Sequence, residues 1–221
     1  MKTIVSKYGR EKNQETLFKS GGFTYRLDEG WGKLPENLNY TPICSGCCDK
    51  ERRVYLISRD YYNPIIVLDE NGEYIKSMGK GLFTFIHGIR CTPWNTLICV
   101  ETEMHILREL TFDGEHIRDI GKIGVPSDSG YDPFVWRRKQ RAGDIVAANI
   151  GYDPYWAFVE SLPTIKRMAS PFNKPTGVDF NSHGEAFCSD GYGNAAIHKF
   201  TRDFELVKTW GGPGREPGKF L

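Results

Sequence analysis

The sequence predicts an all-β fold of the β-propeller type. Three observations predict it: a recurring module, strand-like alternation inside each copy, and turn residues at fixed offsets between strands. The module is anchored on the glycine that ends each copy, at Ser77-Met78-Gly79, Asp119-Ile120-Gly121 and Thr209-Trp210-Gly211. Four residues upstream stand Ile75, Ile117 and Val207; eleven upstream stand Leu68, Leu110 and Phe200. The copies also begin alike, at Ser45-Gly46-Cys47, His87-Gly88-Ile89 and Thr176-Gly177-Val178. Gly46 to Gly79 and Gly88 to Gly121 each span 33 positions, Gly177 to Gly211 spans 34, and Gly46 to Gly88 sets a period of 42. That length fits a four-stranded blade, which buries its faces against its neighbours around a central axis.

The elements follow in order. Residues 1–22 read as a polar tail, and Phe23-Thr24-Tyr25-Arg26-Leu27 with Trp31-Gly32 reads as an outermost strand separated from its blade. Blade units are expected at about 43–85, 86–124 and 173–215. The last strand of each copy alternates apolar and charged residues, as Glu-Tyr-Ile-Lys from Glu73, Glu-His-Ile-Arg from Glu115 and Glu-Leu-Val-Lys from Glu205, the period of a half-buried strand. The turn before it carries Asn71-Gly72 and Asp113-Gly114, pairs that supply positive φ; the third copy, Arg202-Asp203-Phe204, has lost its glycine. Residues 125–172 interrupt the period, contain Gly-Tyr-Asp-Pro twice, and read as a long, ordered connection with some structure of its own, for which covering a pocket is one reading among others. Phe83 and Phe172 each stand five residues before a unit-opening glycine, so Phe220-Leu221 leads toward a further unit. Three units plus one strand fall short of the roughly four blades that closure requires. The expectation is an incomplete ring of about three to four blades in a truncated chain, or self-association to complete the ring.

Composition sets the remaining bounds. In 221 residues, 29 basic and 28 acidic side chains leave a net charge of +1, so no global field draws the chain to nucleic acid or to an anionic membrane. The basic cluster Arg137-Arg138-Lys139-Gln140-Arg141 reads as a solvated loop rather than an RNA site. No signal-like or membrane-spanning apolar run occurs, which predicts a cytoplasmic protein with no membrane partner. Six cysteines are sparse for this length and are expected to be mostly reduced. Cys44, Cys47 and Cys48 resemble a metal clip, but adjacent strand residues face opposite ways and no second pair exists.

Three runs carry a family resemblance: Arg53-Val54-Tyr55-Leu56-Ile57-Ser58-Arg59, Gly81-Leu82-Phe83-Thr84-Phe85-Ile86-His87-Gly88-Ile89, and Ser189-Asp190-Gly191-Tyr192-Gly193-Asn194. With the hairpin signals, they make the chain resemble an NHL-repeat β-propeller similar to peptidyl-α-hydroxyglycine α-amidating lyase and its bacterial relatives, over about residues 23 to 221 without the insert. The resemblance implies a six-bladed propeller that performs peptidylglycine amidation by cleaving a carbinolamide C–N bond. It further implies an arginine and a tyrosine at the reaction centre, a zinc ion on three histidines, and a calcium site. By motif the arginine falls on Arg59, the tyrosine on Tyr192 and the first zinc histidine on His87. The other two zinc histidines belong to blades this chain lacks, so the metal site is expected to be incomplete here, with weak or no activity from the chain alone. The cysteine that follows the tyrosine in animal members is Gly193 here, so the family's disulfide at that place is lost.

The implied partner is a small-molecule or peptide-like substrate. Two other readings stand beside the lyase: a noncatalytic NHL-repeat scaffold for protein or RNA, and a propeller hydrolase or lactonase, since one fold hosts many chemistries. His198, in Ile197-His198-Lys199-Phe200, is expected to be exposed or packed between blades, and His105, His116 and His183 read as turn or surface residues. Asp60 and Asp190 read as turn caps.

Overall fold

A computed structural model of the chain describes residues 17–28 and 30–220. Strands β1 (Leu17–Ser20) and β2 (Phe23–Arg26) form an exposed antiparallel hairpin. The expected lone outer strand is thus corrected: β2 pairs with β1 rather than with a blade, and residues 17–20 belong to the hairpin rather than to the tail. Gly21, at φ +58, opens a two-residue turn, and such local pairing costs far less closure entropy than a return to a distant sheet. Residues 1–16 of the expected tail lie outside the described residues. Trp31 and Lys33 instead dock on the first blade, the Trp31 indole donating to the Glu70 carbonyl (3.3 Å) and the Lys33 amide to that of Gly72 (2.9 Å).

Blade 1 comprises β3 (Ile43–Cys48), β4 (Val54–Ser58), β5 (Ile65–Leu68) and β6 (Tyr74–Met78). Blade 2 comprises β7 (Ile86–Cys91), β8 (Leu97–Glu101), β9 (Ile106–Leu110) and β10 (His116–Gly121). Helices α1 (Val135–Arg141), α2 (Ile145–Ile150) and α3 (Pro154–Ser161) follow, and blade 3 comprises β11 (Gly177–Phe180), β12 (Ala186–Asp190), β13 (Ala196–Phe200) and β14 (Leu206–Gly211). Each blade is an antiparallel meander in chain order, and the inner strand β7 touches β3 on one side and β11 on the other. The chain is therefore a propeller-type array of three blades among its described residues. Blade 3 packs directly on blade 2, so the insert leaves the array and returns without opening it.

Alternation within one strand explains how the blades stack. In β8, Leu97 and Cys99 enter a core with Tyr55, Ile57 and Val67 of blade 1, whereas Ile98 and Val100 enter a second core with Phe172, Val178 and Phe200 of the blade 3 side. Successive side chains of a strand point to opposite faces, so a blade buried on both sides must be apolar at every position. The fully buried β5 sequence Ile65-Ile66-Val67-Leu68 reads the same way. Burial of one such side chain contributes about 1.5–3 kcal/mol.

The third copy's missing turn glycine has a compensation. Phe204 takes φ +64, where Gly72 and Gly114 take +81 and +92. The left-handed conformation costs an ordinary residue about 1–2 kcal/mol. The Phe204 ring offsets this by packing near Trp94, Phe180 and Phe200 with the Arg118 guanidinium above it.

The insert is helical and carries a small core of its own, Trp136, Ala147 and Ala157. Asp144 and Asp153 cap α2 and α3 by accepting from backbone amides two or three residues on, and Pro154 opens α3 where a missing N–H costs nothing. The Trp136 indole donates to the Gly151 carbonyl at 2.8 Å.

Candidate functional site

The inner strands meet one another, β7 touching both β3 and β11, and the residue before the inner-strand glycine sits in that contact region of blades 2 and 3. At that position in blade 2, His87 reaches its counterpart in blade 3: its Nδ1 lies 2.9 Å from the Thr176 carbonyl oxygen. A carbonyl only accepts, so Nδ1 carries the proton and Nε2 presents a lone pair. Tyr192 Oη lies 2.8 Å from that Nε2 and donates to it. The two rings meet edge to face at 5.3 Å, and Phe158 of α3 packs edge to face on the other side of Tyr192 at 5.2 Å. The result is a chain from carbonyl to imidazole to phenol, directed by one fixed tautomer.

A buried network holds the Tyr192 loop. Asp190 and His198 are both fully buried. Asp190 Oδ2 accepts from the Asn173 amide (2.7 Å), from Asn194 Nδ2 (2.7 Å) and from His198 Nε2 (3.1 Å), while His198 Nδ1 meets Thr209 Oγ1 at 2.8 Å. Asn173 accepts the Gly193 amide on its carbonyl at 3.0 Å, and its side chain donates to Ser129 Oγ at 3.1 Å; Ser129 in turn donates to the Gly193 carbonyl. Gly193 has no room for a side chain, because a Cβ there would lie 2.4 Å from Asn173 Oδ1. Asp190 is therefore a buried anchor rather than a surface turn cap. Asp60, by contrast, accepts from the Tyr62 and Asn63 amides as a turn cap does. His198 is packed within its blade, and His105 accepts the Lys174 amide at 3.0 Å, tying the end of the insert to blade 2.

Tyr192 opens into a cavity of about 350 Å³ whose walls include Phe85, Thr102 and Lys174 from the blade loops, and Tyr131, Tyr152 and Phe158 from the insert. Phe85 also borders a second cavity, of about 280 Å³, that holds Arg59. The Arg59 guanidinium carbon stacks 3.9 Å from the Phe85 ring centroid, and its Nε donates to Cys44 Sγ at 3.0 Å. His87 and Tyr192 are thus brought into contact, whereas Arg59 stands behind the Phe85 ring. Arg59 and Tyr192 follow β4 and β12, the second strands of their blades rather than the innermost ones. The Phe85 position depends on Glu101, a fully buried carboxylate that accepts the Thr84 and Phe85 amides at 3.1 and 2.8 Å. Burial raises the Glu101 pKa, and those backbone hydrogen bonds oppose the rise without cancelling it.

Sequence reasoning did not identify Glu101, Asn173 or Phe158 as parts of this site. Glu101 carried one signal, a carboxylate ending the otherwise apolar β8. Among the described residues no three histidine, cysteine, aspartate or glutamate side chains gather as a metal site. Around His87 the donors are one imidazole and one phenol, and the imidazole lone pair already accepts from the phenol. These residues do not by themselves fit a three-histidine zinc, and a zinc at His87 would need two further imidazoles from outside the described residues. No described helix is long and apolar enough to cross a membrane.

No protein-family model matches the chain, and no curated protein matches its sequence. Among solved structures, a protein of unknown function from Bacteroides thetaiotaomicron aligns with 12% identity and a TM-score of 0.54 over 86% of this chain and 39% of its own. A streptogramin B lyase aligns with 11% identity and a TM-score of 0.49, over 82% of this chain and 44% of its own. A virginiamycin B lyase from Staphylococcus aureus gives 9% and 0.47, over 80% and 44%. The chain spans less than half the length of each, and at 12% identity the likeness to the Bacteroides protein is one of fold.

Proposed function

We propose that this site transfers protons in an eliminating lyase, and that its substrate is a carbinolamide of the α-hydroxyglycine type. The observation that carries the reading is the 2.8 Å contact of Tyr192 Oη with a His87 Nε2 whose lone pair is aimed at it by the Thr176 carbonyl. In this reading Tyr192 accepts the carbinol O–H proton while passing its own proton to His87 Nε2. The carbinol C–O bond becomes a carbonyl, the C–N bond breaks, and the amide nitrogen leaves with the electron pair. The proton returns through Tyr192 to that nitrogen, giving a primary amide and an α-oxo acid. The Thr176 carbonyl stabilises the transient imidazolium at Nδ1–H, and the Phe158 ring packs against the Tyr192 phenol that carries the proton. Arg59 contributes by holding Phe85 in place and by adding positive charge behind it.

The test is release of glyoxylate from an N-acyl-α-hydroxyglycine by the parent chain and by Tyr192→Phe. Loss of a positioned acid–base group lowers turnover by about 10²–10⁴-fold. Tyr192→Phe is expected to show that loss in kcat with its fold intact. Turnover equal to the parent's would eliminate the relay. A parent chain with no turnover that also fails to bind the N-acyl-α-hydroxyglycine would leave the noncatalytic scaffold as the better account.

A further inference from the structure

On the interface between blades 1 and 2, away from the cavity of Tyr192, three successive contacts join β3 to β7 with one constant offset. The Ile89 amide donates to Ser45 Oγ (3.4 Å), Arg90 Nη1 to the Gly46 carbonyl (3.3 Å), and Cys91 Sγ lies 3.2 Å from Cys47 Sγ. The thiols therefore meet because the two inner strands run in register, and the flanking contacts hold them there. From this geometry we infer that Cys47 and Cys91 are a redox-active thiol pair that closes an inter-blade disulfide by exchange with a low-molecular-weight disulfide of the glutathione type.

The two sulfurs have different surroundings, which assigns their order of reaction. Cys91 lines an open cavity of about 330 Å³ with Asp49, Thr92, Asn95 and Phe112, and Cys47 does not. Both are half-buried, and both pack against the core shared by blades 1 and 2, so the open cavity beside Cys91 is what sets them apart. The hydrogen bond with Cys47 and the Arg53 and Arg90 guanidinium groups lower the Cys91 pKa against burial and the Asp49 carboxylate, which raise it, and the open cavity gives that sulfur access to a small disulfide. Cys91 is the attacking thiolate. It forms a bond to one sulfur of the small disulfide, whose S–S bond breaks and releases one thiolate. Cys47 then loses its proton, attacks Cys91 Sγ and expels the second thiolate. Two protein thiols are oxidised to one disulfide, and one small disulfide is reduced to two thiols.

The full chain is incubated with oxidised glutathione under native conditions, digested without reduction and mapped by mass spectrometry. The expected product is a peptide linking Cys47 to Cys91, lighter by two hydrogens and reopened by dithiothreitol. Cys48→Ser should leave that link intact. Cys47→Ser should accumulate the Cys91–glutathione adduct about tenfold or more over the parent, since closure across 3.2 Å is intramolecular. The parent map decides the matter even if this variant does not fold. A Cys48–Cys91 link, a stable glutathione adduct on Cys91 of the parent, or two free thiols at 47 and 91 after the exposed Cys44 and Cys48 have reacted would each overturn the assignment.

Discussion

Substitution of Gly193 by alanine probes the support of the Tyr192 loop most directly. The new Cβ would lie 2.4 Å from Asn173 Oδ1, 2.7 Å from its Cγ and 2.7 Å from its backbone oxygen, so either the loop or Asn173 must move. Overpacking of this kind costs about 1–3 kcal/mol. Displacing the Asn173 side chain also breaks its bonds to the Ser127 carbonyl and Ser129 Oγ, each contributing about 0.5–1.5 kcal/mol. Because part of the collision can be relieved by one movement or the other, the expected loss is roughly 2–3 kcal/mol, a melting shift of about 4–12 °C for a chain of this size. Gly22→Ala serves as the control, since nothing lies within 4 Å of its Cβ position and it should melt with the parent. Thermal unfolding followed by circular dichroism reads both. A double-mutant cycle with Asn173→Ala should give a favourable coupling of about 1 kcal/mol, because the smaller side chain vacates the contested space. A Gly193→Ala protein that melts with the parent, or strictly additive costs in the cycle, would refute the claim that Asn173 packs against this glycine.

Three further outcomes are expected. Burial pushes the Glu109 pKa up, but hydrogen bonds from Thr96, Trp94 and Arg118 outweigh it and leave the carboxyl below its ordinary value. Its stabilisation is therefore present above the unfolded-state pKa of about 4.3 and lost as pH falls through the folded value. Glu109→Gln should lose about 1.5–3 kcal/mol in urea unfolding at pH 7 and less at pH 3; an equal deficit at both would contradict this. Phe204→Gly should gain about 1–2 kcal/mol in backbone freedom yet lose about 3–5 kcal/mol of aromatic packing, a net destabilisation near 2 kcal/mol; a more stable variant would show the ring is not packed as described. Trp136→Ala should cost about 3–5 kcal/mol of local stability, seen as loss of hydrogen-exchange protection confined to residues 134–162, and protection lost in β8 as well would show that the insert and blades unfold together.

The blades were legible in the sequence because their signals are local. Asn71-Gly72 and Asp113-Gly114 mark turns, and the Glu-x-Ile-Lys type of alternation marks the strand that follows. The hairpin of Leu17–Ser20 with Phe23–Arg26 was missed because it stands outside the repeat, although Gly21-Gly22 between two short apolar runs was a usable turn signal. The motif-based choice of His87 and Tyr192 placed two side chains that touch. Their separation of 105 positions is bridged only when blade 3 returns to blade 2 after the insert. The roles of Asn173 and Glu101 had no local signature. Asn173 acts through Asp190 and Ser129, and Glu101 through amides of a loop 16 and 17 positions earlier, so both depend on tertiary placement. Likewise, nothing in the phrase Cys47-Cys48 reveals that Cys91 lies against one of them and not the other.

The division of β8 between two cores has a mechanical consequence. Its odd-numbered side chains lean on one neighbouring sheet and its even-numbered ones on the other, so the middle blade cannot loosen toward one side without slackening its grip on the opposite side. Damage to Leu97 or to Val100 should spread across both seams. The three sheets are then expected to melt in a single cooperative step, unlike a stack of independent plates shed one at a time.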